Sequence, residues 1–151
     1  MIEAAGPADA GELLTLQRAA YVTEGQLYDD VQLPALTQSL AGLHEELASG
    51  SAWKALRVHR IVGAVRTRLD TGTLHIGRLT VAPDQQRQGI GSALLLHVEA
   101  AAGADVTRLA LFTGHLSEAN LRLYERHGYT RVRDEVLRPG VTLVHLEKAV
   151  G

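Results

Sequence analysis

Two glycines, Gly89 and Gly91, stand where a run of strand-type residues gives way to a run of helix-type residues. The strand pattern ends at Pro83, which has no N–H to donate to a β-ladder, and helical spacing of apolar residues begins at Ile90. A helix start carries unpaired N–H groups and a partial positive charge, to which Arg87 adds a full charge. Because glycine lets backbone approach a bulky ligand, this junction predicts a phosphate or pyrophosphate site.

Two common phosphate-binding motifs place glycines similarly, and the sequence matches neither of them. The dinucleotide-binding fingerprint requires a third glycine where Leu94 stands. The P-loop requires a lysine before its serine or threonine, and here Ser92 directly follows a glycine. The pattern present is Gln-x-x-Gly-x-Gly over residues 86–91, behind Val-Ala-Pro at residues 81–83.

A second stretch with chemical potential is the helix predicted over residues 117–127. By three- and four-residue spacing, Asn120, Tyr124 and His127 share one face, and Ser117 lies about two turns from Tyr124 on nearly the same side. This face is expected to pack against a sheet. Taken alone, the pattern also fits an ordinary core tyrosine whose hydroxyl is hydrogen-bonded.

The positions of glycine and proline, together with the spacing of apolar residues, predict the strands and helices in which these two stretches lie. The predicted strands cover residues 1–5, 51–58, 61–69, 73–81, 108–113, 129–136 and 141–148, and the predicted helices cover 10–20, 35–48, 90–102 and 117–127. Three consecutive strands are expected to be antiparallel, whereas 73–81 and 108–113 are expected to be parallel because a helix separates them. The order predicts an α/β fold, with helices on both faces of one mixed sheet.

Composition narrows the class of protein. The 151 residues, 46% hydrophobic and 21% charged, are expected to form a single globular domain over 1–151. A net charge of −2 excludes a basic nucleic-acid-binding field, and the lack of cysteine excludes disulfides, thiolate metal sites and a cysteine nucleophile. We expect no bound metal. Without a signal-peptide pattern or a run of membrane-spanning length, a cytoplasmic location is expected.

Together the two stretches resemble the two motifs of the GCN5-related N-acetyltransferases (GNAT family). The first is the Gln-x-x-Gly-x-Gly turn, and the second is Asn-Leu-Arg-Leu-Tyr followed by Gly-Tyr, within residues 120–129. They occur in the family's order and separation. The resemblance implies the acyl-CoA N-acyltransferase fold, with a mostly antiparallel mixed sheet whose central parallel pair is splayed apart. It also implies an acetyltransferase that moves an acetyl group from acetyl-CoA to a primary amine by direct attack, without an acyl-enzyme.

The resemblance assigns acetyl-CoA to the turn, the end of the strand before it and the second motif helix. The pantetheine arm is expected to pair with strand backbone, and the pyrophosphate is expected to bind N–H groups of residues 87–92. The implied cofactor-binding residues are Leu79, Thr80, Val81, Gln86, Arg87, Gln88, Gly89, Ile90, Gly91, Ser92, Ser117, Asn120 and Tyr124. Either Ser117 or Asn120 would bond the pantetheine amide, because a serine stands where the family often has its asparagine.

Two catalytic residues are implied, Tyr124 and His75. Tyr124 matches the family position that commonly protonates the leaving thiolate. Since a phenol titrates near ~10 and a thiol near ~8.5, the phenol is expected to stabilise charge on sulfur rather than give up its proton. The backbone N–H of Val81 is the candidate donor to the carbonyl. His75 stands where some members carry a base, and His115 or a water relay is the alternative.

The connector over residues 21–33 is expected to wall the acceptor pocket. Its Tyr21, Glu24 and Tyr28 predict attraction for a cationic amine, although acids there also serve as ordinary turn formers. The predicted partner is a small-molecule amine, with nucleic acid and membrane excluded and a homodimer allowed. The alternatives are a protein N-terminal or lysine acetyltransferase, a non-catalytic acyl-CoA-binding module and an unrelated nucleotide-phosphate binder.

Overall fold

The computed structural model describes residues 1–150 as one seven-stranded sheet flanked by helices on both faces. The strands are β1 (Ile2–Ala5), β2 (Ser51–Arg57), β3 (Arg60–Asp70), β4 (Thr73–Val81), β5 (Arg108–Gly114), β6 (Thr130–Arg138) and β7 (Val141–Ala149). The helices are α1 (Ala10–Leu27), α2 (Pro34–Thr37), α3 (Leu40–Ser49), α4 (Ile90–Ala101) and α5 (Glu118–Arg126). Short 3₁₀ turns lie at Pro7–Asp9 and Pro83–Gln85.

The sheet order is β1-β2-β3-β4-β5-β7-β6, and its central pair is open at one end. Every neighbouring pair is antiparallel except β4 and β5, which are parallel. Within residues 1–150, these two strands pair only from Thr73 to His75 on β4, opposite residues 108–110. The predicted mixed sheet with a splayed parallel pair is therefore confirmed.

A β-bulge lies in β4 close to where the strands part. Between Gly77 and Thr80 the register against β3 shifts, and Arg78 takes a left-handed backbone with φ 51°. A bulge bends its strand and increases the local twist. The kink thus lies between the paired start of β4 and the free edge of its last residues.

Helices bury one apolar cluster on each face of the sheet. On one face α4 and α5 pack on β4, β5 and β7 through a core that includes Leu74, Leu94, Leu109 and Leu146. On the other face α1 and α3 pack on β2 and β3 through a smaller cluster. Burying one such leucine contributes about 1.5–3 kcal/mol, so packing on both faces holds the sheet while its central strands stay apart.

The helices before β2 differ from the predicted pattern. α1 continues to Leu27 instead of ending near residue 20, because Gly25 is buried inside the helix. A Cβ on Gly25 would lie 2.9 Å from Leu36 Cδ1, so this glycine allows close packing and does not end the helix. The second predicted helix is split, since Ser39 begins a new one by accepting a hydrogen bond from the Gly42 N–H at 3.0 Å.

Candidate functional site

A cleft of about 410 Å³ opens where β4 and β5 part. Its walls are the end of β4, the turn before α4, the starts of α4 and α5, and the second half of α1. Twelve of the residues predicted from the sequence line it: Tyr21, Glu24, Leu79, Thr80, Val81, Gln86, Arg87, Gly89, Ile90, Gly91, Ser92 and Asn120. The other predicted residues, His75, Gln88, Ser117, Tyr28 and Tyr124, do not line the cleft.

One end of the cleft is the turn that begins α4. Arg87 and Gly89 both take left-handed backbone conformations, with φ 63° and 80°. The first intrahelical hydrogen bond runs from the Ala93 N–H to the Gly89 carbonyl, at 2.9 Å, which leaves the preceding N–H groups without helical acceptors. A Cβ on Gly89 would meet nothing within 4 Å, so the turn presents its backbone to open space. This end suits an anion.

Ion pairs and hydrogen bonds hold that turn in place. Arg60 on β3 makes two hydrogen bonds of 2.7 Å to the Asp84 carboxylate, and their effect lowers the pKa of Asp84 to about 2. His127, just past α5, lies 3.0 Å from the Ser92 hydroxyl through its Nε2. This end of the cleft is therefore tied both to the sheet and to the second motif helix.

Arg126 lines the same cleft and was not identified from the sequence. An arginine in the last turn of a helix is ordinarily explained by the helix dipole. A signal was nevertheless present, because Arg126 follows Asn120 by six residues and Leu123 by three, and both of those residues line the cleft. With Arg87, the cleft has two guanidinium groups.

At the middle of the cleft the free edge of β4 presents a backbone donor. The Ala82 N–H donates to the Val62 carbonyl of β3 at 2.8 Å. Since successive N–H groups of an extended chain point to opposite sides, the Val81 N–H points away from β3 and toward the gap. This is the direction required of a donor to an acyl carbonyl in the cleft.

Asn120 and Ser117 are on different sides of the site. The Asn120 amide donates to the Thr113 hydroxyl of β5 at 3.2 Å and lines the cleft. Ser117 is 5% exposed and donates to a carboxylate oxygen of Glu24 at 2.6 Å. Of the two candidates for the pantetheine amide, Asn120 is thus the one beside the open gap.

Tyr124 is a buried phenol, 6% exposed, whose hydroxyl has no hydrogen-bond partner within residues 1–150. Burial raises its pKa well above the ordinary value, and the nearby Tyr21 and Glu24 raise it further. The Tyr124 ring packs edge-on against Tyr129, with centroids 6.3 Å apart. The phenol therefore stays protonated at neutral pH and has a donor to offer.

The other end of the cleft is formed by the second half of α1. Arg78 lies over the Tyr21 ring at 5.9 Å, and burial raises the pKa of that phenol. Glu24 lines the cleft, whereas Asp30 forms an ion pair with Arg138 at the end of β6. Of the acids that the connector supplies, only Glu24 is in the cleft.

The two candidate imidazole bases lie outside the cleft lining. His75 is in the closed part of the β4–β5 pair, and burial, followed by the charge of Arg68, lowers its pKa. His115 accepts the Thr142 N–H at its Nδ1, at 3.1 Å, and its ring lies 6.0 Å from that of Tyr28. The structure does not bring either ring to the part of the cleft where β4 is open.

Two further features of residues 1–150 bear on the class of site. Within that range no three histidine, cysteine or acidic side chains converge in a way that could hold a metal ion. No helix there combines the length and apolar character that crossing a bilayer requires.

The chain thus combines a splayed central strand pair, a turn with open backbone N–H groups at the start of α4 and a buried phenol on α5. A family model described as "Acetyltransferase (GNAT) domain" matches residues 26–150, and the chain belongs to this family of acetyltransferases.

The chain is similar to a curated sequence and to solved structures of acetyltransferases. UPF0157 protein YqkA of Bacillus subtilis is 27% identical over 135 residues, which are 89% of this chain but 38% of the length of that relative. The ribosomal-protein-alanine N-acetyltransferase of Brucella melitensis has a TM-score of 0.76 at 20% identity, covering 99% of both chains. The putative acetyltransferase yncA of Salmonella typhimurium, solved with acetyl-CoA, has a TM-score of 0.77 at 15% identity, covering 100% of this chain and 94% of its own.

Proposed function

We propose that this chain transfers the acetyl group of acetyl-CoA to a primary amine of a small molecule, by direct attack of the amine. The observation that carries the proposal is the single cleft that connects the anion-binding turn to Glu24 through the open edge of β4. Acetyl-CoA supplies the acetyl group as a reactive thioester.

The residues present fit acetyl-CoA. The free N–H groups before Ala93, with Arg87 and Arg126, would hold its negatively charged pyrophosphate. The open backbone of Leu79, Thr80 and Val81, with the Asn120 amide, would hold the pantetheine arm, for which the gap beyond residue 75 of β4 leaves room. Gln86, Gln88, Ile90, Gly91 and Ser92 complete the proposed cofactor set, with Ser117 as the alternative to Asn120.

Two donors would stabilise the charge that develops during transfer. The Val81 N–H would donate to the carbonyl oxygen, and the Tyr124 hydroxyl would donate to the leaving sulfur. Because burial raises the pKa of Tyr124, the phenol keeps its proton and acts through a hydrogen bond. Because a thiol has a reference pKa near ~8.5, its thiolate does not take the proton from a phenol whose pKa is higher.

The attacking nitrogen must also lose a proton. His75 is the candidate that the family resemblance supplies, and its lowered pKa keeps the ring neutral at pH 7. Since His75 does not line the cleft, a bound water would have to carry the proton to it. His115 would need a similar relay.

The acceptor is proposed to be a small amine that Tyr21 and Glu24 recognise in the cleft, while Tyr28, outside the lining, accepts a hydrogen bond from the Leu116 N–H. Glu24 contributes negative charge beside the cleft, and aromatic faces attract cations. Asp30 does not contribute a free charge, because Arg138 neutralises it.

Calorimetry with acetyl-CoA, followed by thiol release with a panel of amines and peptides, tests this proposal. We expect acetyl-CoA binding in the ~1 μM to 1 mM range typical of enzyme substrates and thiol release with small amines. Turnover with peptides alone would identify a protein acetyltransferase, and binding without turnover an acyl-CoA-binding module. Tight ATP binding without CoA binding would contradict the proposal altogether.

A further inference from the structure

A chain of hydrogen bonds crosses from the loop before α5 to the end of α1 and ends on the Glu24 carboxylate. The Leu116 N–H donates to the Tyr28 hydroxyl at 2.9 Å. The Ser117 hydroxyl donates to Glu24 Oε2 at 2.6 Å. Because the single hydroxyl proton of Ser117 is thus committed, the 2.9 Å contact between Tyr28 and Ser117 has Tyr28 as its donor.

This chain orients one carboxylate oxygen and leaves the other one available. Oε2 of Glu24 accepts the Ser117 proton, whereas Oε1 has no hydrogen-bond partner within residues 1–150. A carboxylate has about four lone-pair sites, so the ordered group keeps most of its accepting capacity. Glu24 also lines the cleft, and its charge acts on the pKa of Tyr124.

No other group in the cleft lining suits the task of accepting a proton. Among the lining residues Glu24 is the only acid, and no histidine is present. Burial raises the pKa values of Tyr21 and Tyr124, so both phenols are donors at neutral pH. The remaining charged groups in the lining are guanidiniums, which have no lone pair to offer.

We propose that Glu24 is the catalytic base that takes the proton from the attacking amine, and that Ser117 and Tyr28 are positioning residues that hold its carboxylate toward the cleft. This rests on the proposed N-acetyltransferase function. With Glu24 as the base, neither His75 nor His115 is needed, and no water relay is needed either, because Glu24 lies in the cleft itself.

In the proposed step one C–N bond forms and one C–S bond breaks. The amine nitrogen forms a C–N bond to the acetyl carbon and becomes positively charged, and Glu24 removes one of its protons. The C–S bond breaks, and its electron pair leaves on the sulfur, which receives a hydrogen bond from the Tyr124 hydroxyl. The products are the amide and the thiolate, which gains a proton from solvent, while Glu24 returns its own proton to solvent.

The backbone at Gly114 shows how closely Tyr28 is fitted. A Cβ on Gly114 would lie 1.9 Å from the Tyr28 hydroxyl, so any larger residue there would displace the phenol. Glycine at the end of β5 thereby lets Tyr28 reach Ser117. The positioning of Glu24 thus depends on the close approach of α1 to β5.

The test compares Glu24→Gln with the wild-type protein. Glutamine keeps the size of the side chain and can still accept from Ser117, but it cannot take a proton. We expect kcat to fall about 100- to 10,000-fold, the range for loss of a general base, while calorimetry shows the Kd for acetyl-CoA within twofold of wild type. In Glu24→Ala, added formate is expected to restore part of kcat.

The matched control and the positioning variants change two residues at the start of α5, Glu118 and Ser117. Glu118→Gln changes an acid with 80% side-chain exposure, and we expect it to leave kcat unchanged. Ser117→Ala is expected to lower kcat about tenfold without changing the Kd for acetyl-CoA, and Ser117→Thr, which keeps the hydroxyl, is expected to restore it.

Two results would overturn the assignment of Glu24 as base. One is a kcat for Glu24→Gln within threefold of wild type, and the other is an increase in the KM for the amine at unchanged kcat, which would leave only a binding role. Both results are compatible with a wild-type protein that binds acetyl-CoA and acetylates amines, so they would overturn the role of Glu24 without overturning the proposed function. A wild-type protein that takes up no acetyl-CoA would instead overturn the proposed function, and the role of Glu24 with it.

Discussion

Replacing Tyr124 with phenylalanine removes a single oxygen that the fold does not use. The ring is 6% exposed and packs against Tyr129, and phenylalanine preserves that packing. The hydroxyl has no hydrogen-bond partner within residues 1–150, so its loss breaks no bond in the free protein. We therefore expect the midpoint of thermal unfolding to change little in Tyr124→Phe.

The effect on turnover should be large by comparison. A hydrogen bond to a charged group contributes about 1.5–3 kcal/mol, and each 1.4 kcal/mol changes a rate tenfold. Loss of the donor to the leaving sulfur is thus expected to lower kcat about 10- to 150-fold. The KM for acetyl-CoA should stay near its wild-type value, because the interaction forms mainly in the transition state. Continuous measurement of thiol release gives both constants.

Tyr129→Phe is the matched control for this variant. Its hydroxyl donates to Glu99 at 2.8 Å, and Glu99 also accepts from Lys148 at 3.0 Å, in a network apart from the cleft. This variant is expected to keep kcat and to unfold at a midpoint on the order of 5 °C lower. A kcat for Tyr124→Phe within threefold of wild type, or a loss of stability as large as that of Tyr129→Phe, would contradict this role of the Tyr124 hydroxyl.

Substitutions at Asp84, Arg126 and Gly114 test three other contacts described above. Arg60 lowers the pKa of Asp84 to about 2. The contribution of Asp84 to stability is therefore complete above pH ~4 and is lost as the pH falls through about 2. Between pH ~5 and pH ~2, the thermal midpoint of Asp84→Asn should fall less steeply than that of the wild-type protein. Arg126→Gln should weaken acetyl-CoA binding about tenfold by calorimetry, since one charge-assisted hydrogen bond is lost, and unchanged affinity would exclude that contact. Gly114→Ala should displace Tyr28, break its two hydrogen bonds and cost about 2 kcal/mol in urea unfolding, whereas wild-type stability would show that the tyrosine has another place to go.

The centre of the fold could be predicted from the sequence because its signals are local. The bounds of β4 agree with the prediction at both ends, since a turn precedes Thr73 and Pro83 closely follows Val81. Parallel pairing of β4 with β5 followed from the helix between them, and the structure confirms it. These features depend on backbone chemistry at single positions.

The helices before β2 could not be predicted as well, because distant contacts decide them. The segment around Gly25 was predicted as a connector, and only the packing of Leu36 against Gly25 shows why a glycine lies within the helix there. Ser39 begins a helix inside a run whose apolar spacing continues without a break. In both places the sequence pattern fits two conformations, and tertiary packing selects one of them.

Within the candidate site, residue types were easier to predict than side-chain directions. The turn before α4 was identified from its glycines, but the direction of Ser117 depends on α1, a helix some ninety residues earlier in the chain. Arg126 was missed because its place at a helix end already has an ordinary explanation. A side chain that faces another part of the chain cannot be oriented by spacing along its own helix alone.

The three-residue ladder between β4 and β5 also divides the molecule in a way that matters for its assembly. Strands β1 to β4 lie before α4 in the chain and strands β5 to β7 lie after it, so each half-sheet is built from its own part of the chain. The halves are joined by the short parallel ladder, by the apolar layer beneath α4 and α5, and by the polar contacts of Glu24, Tyr28 and Asp30. Because the segment between α4 and β5 separates the two halves, it is a natural position for new termini in a circular permutant.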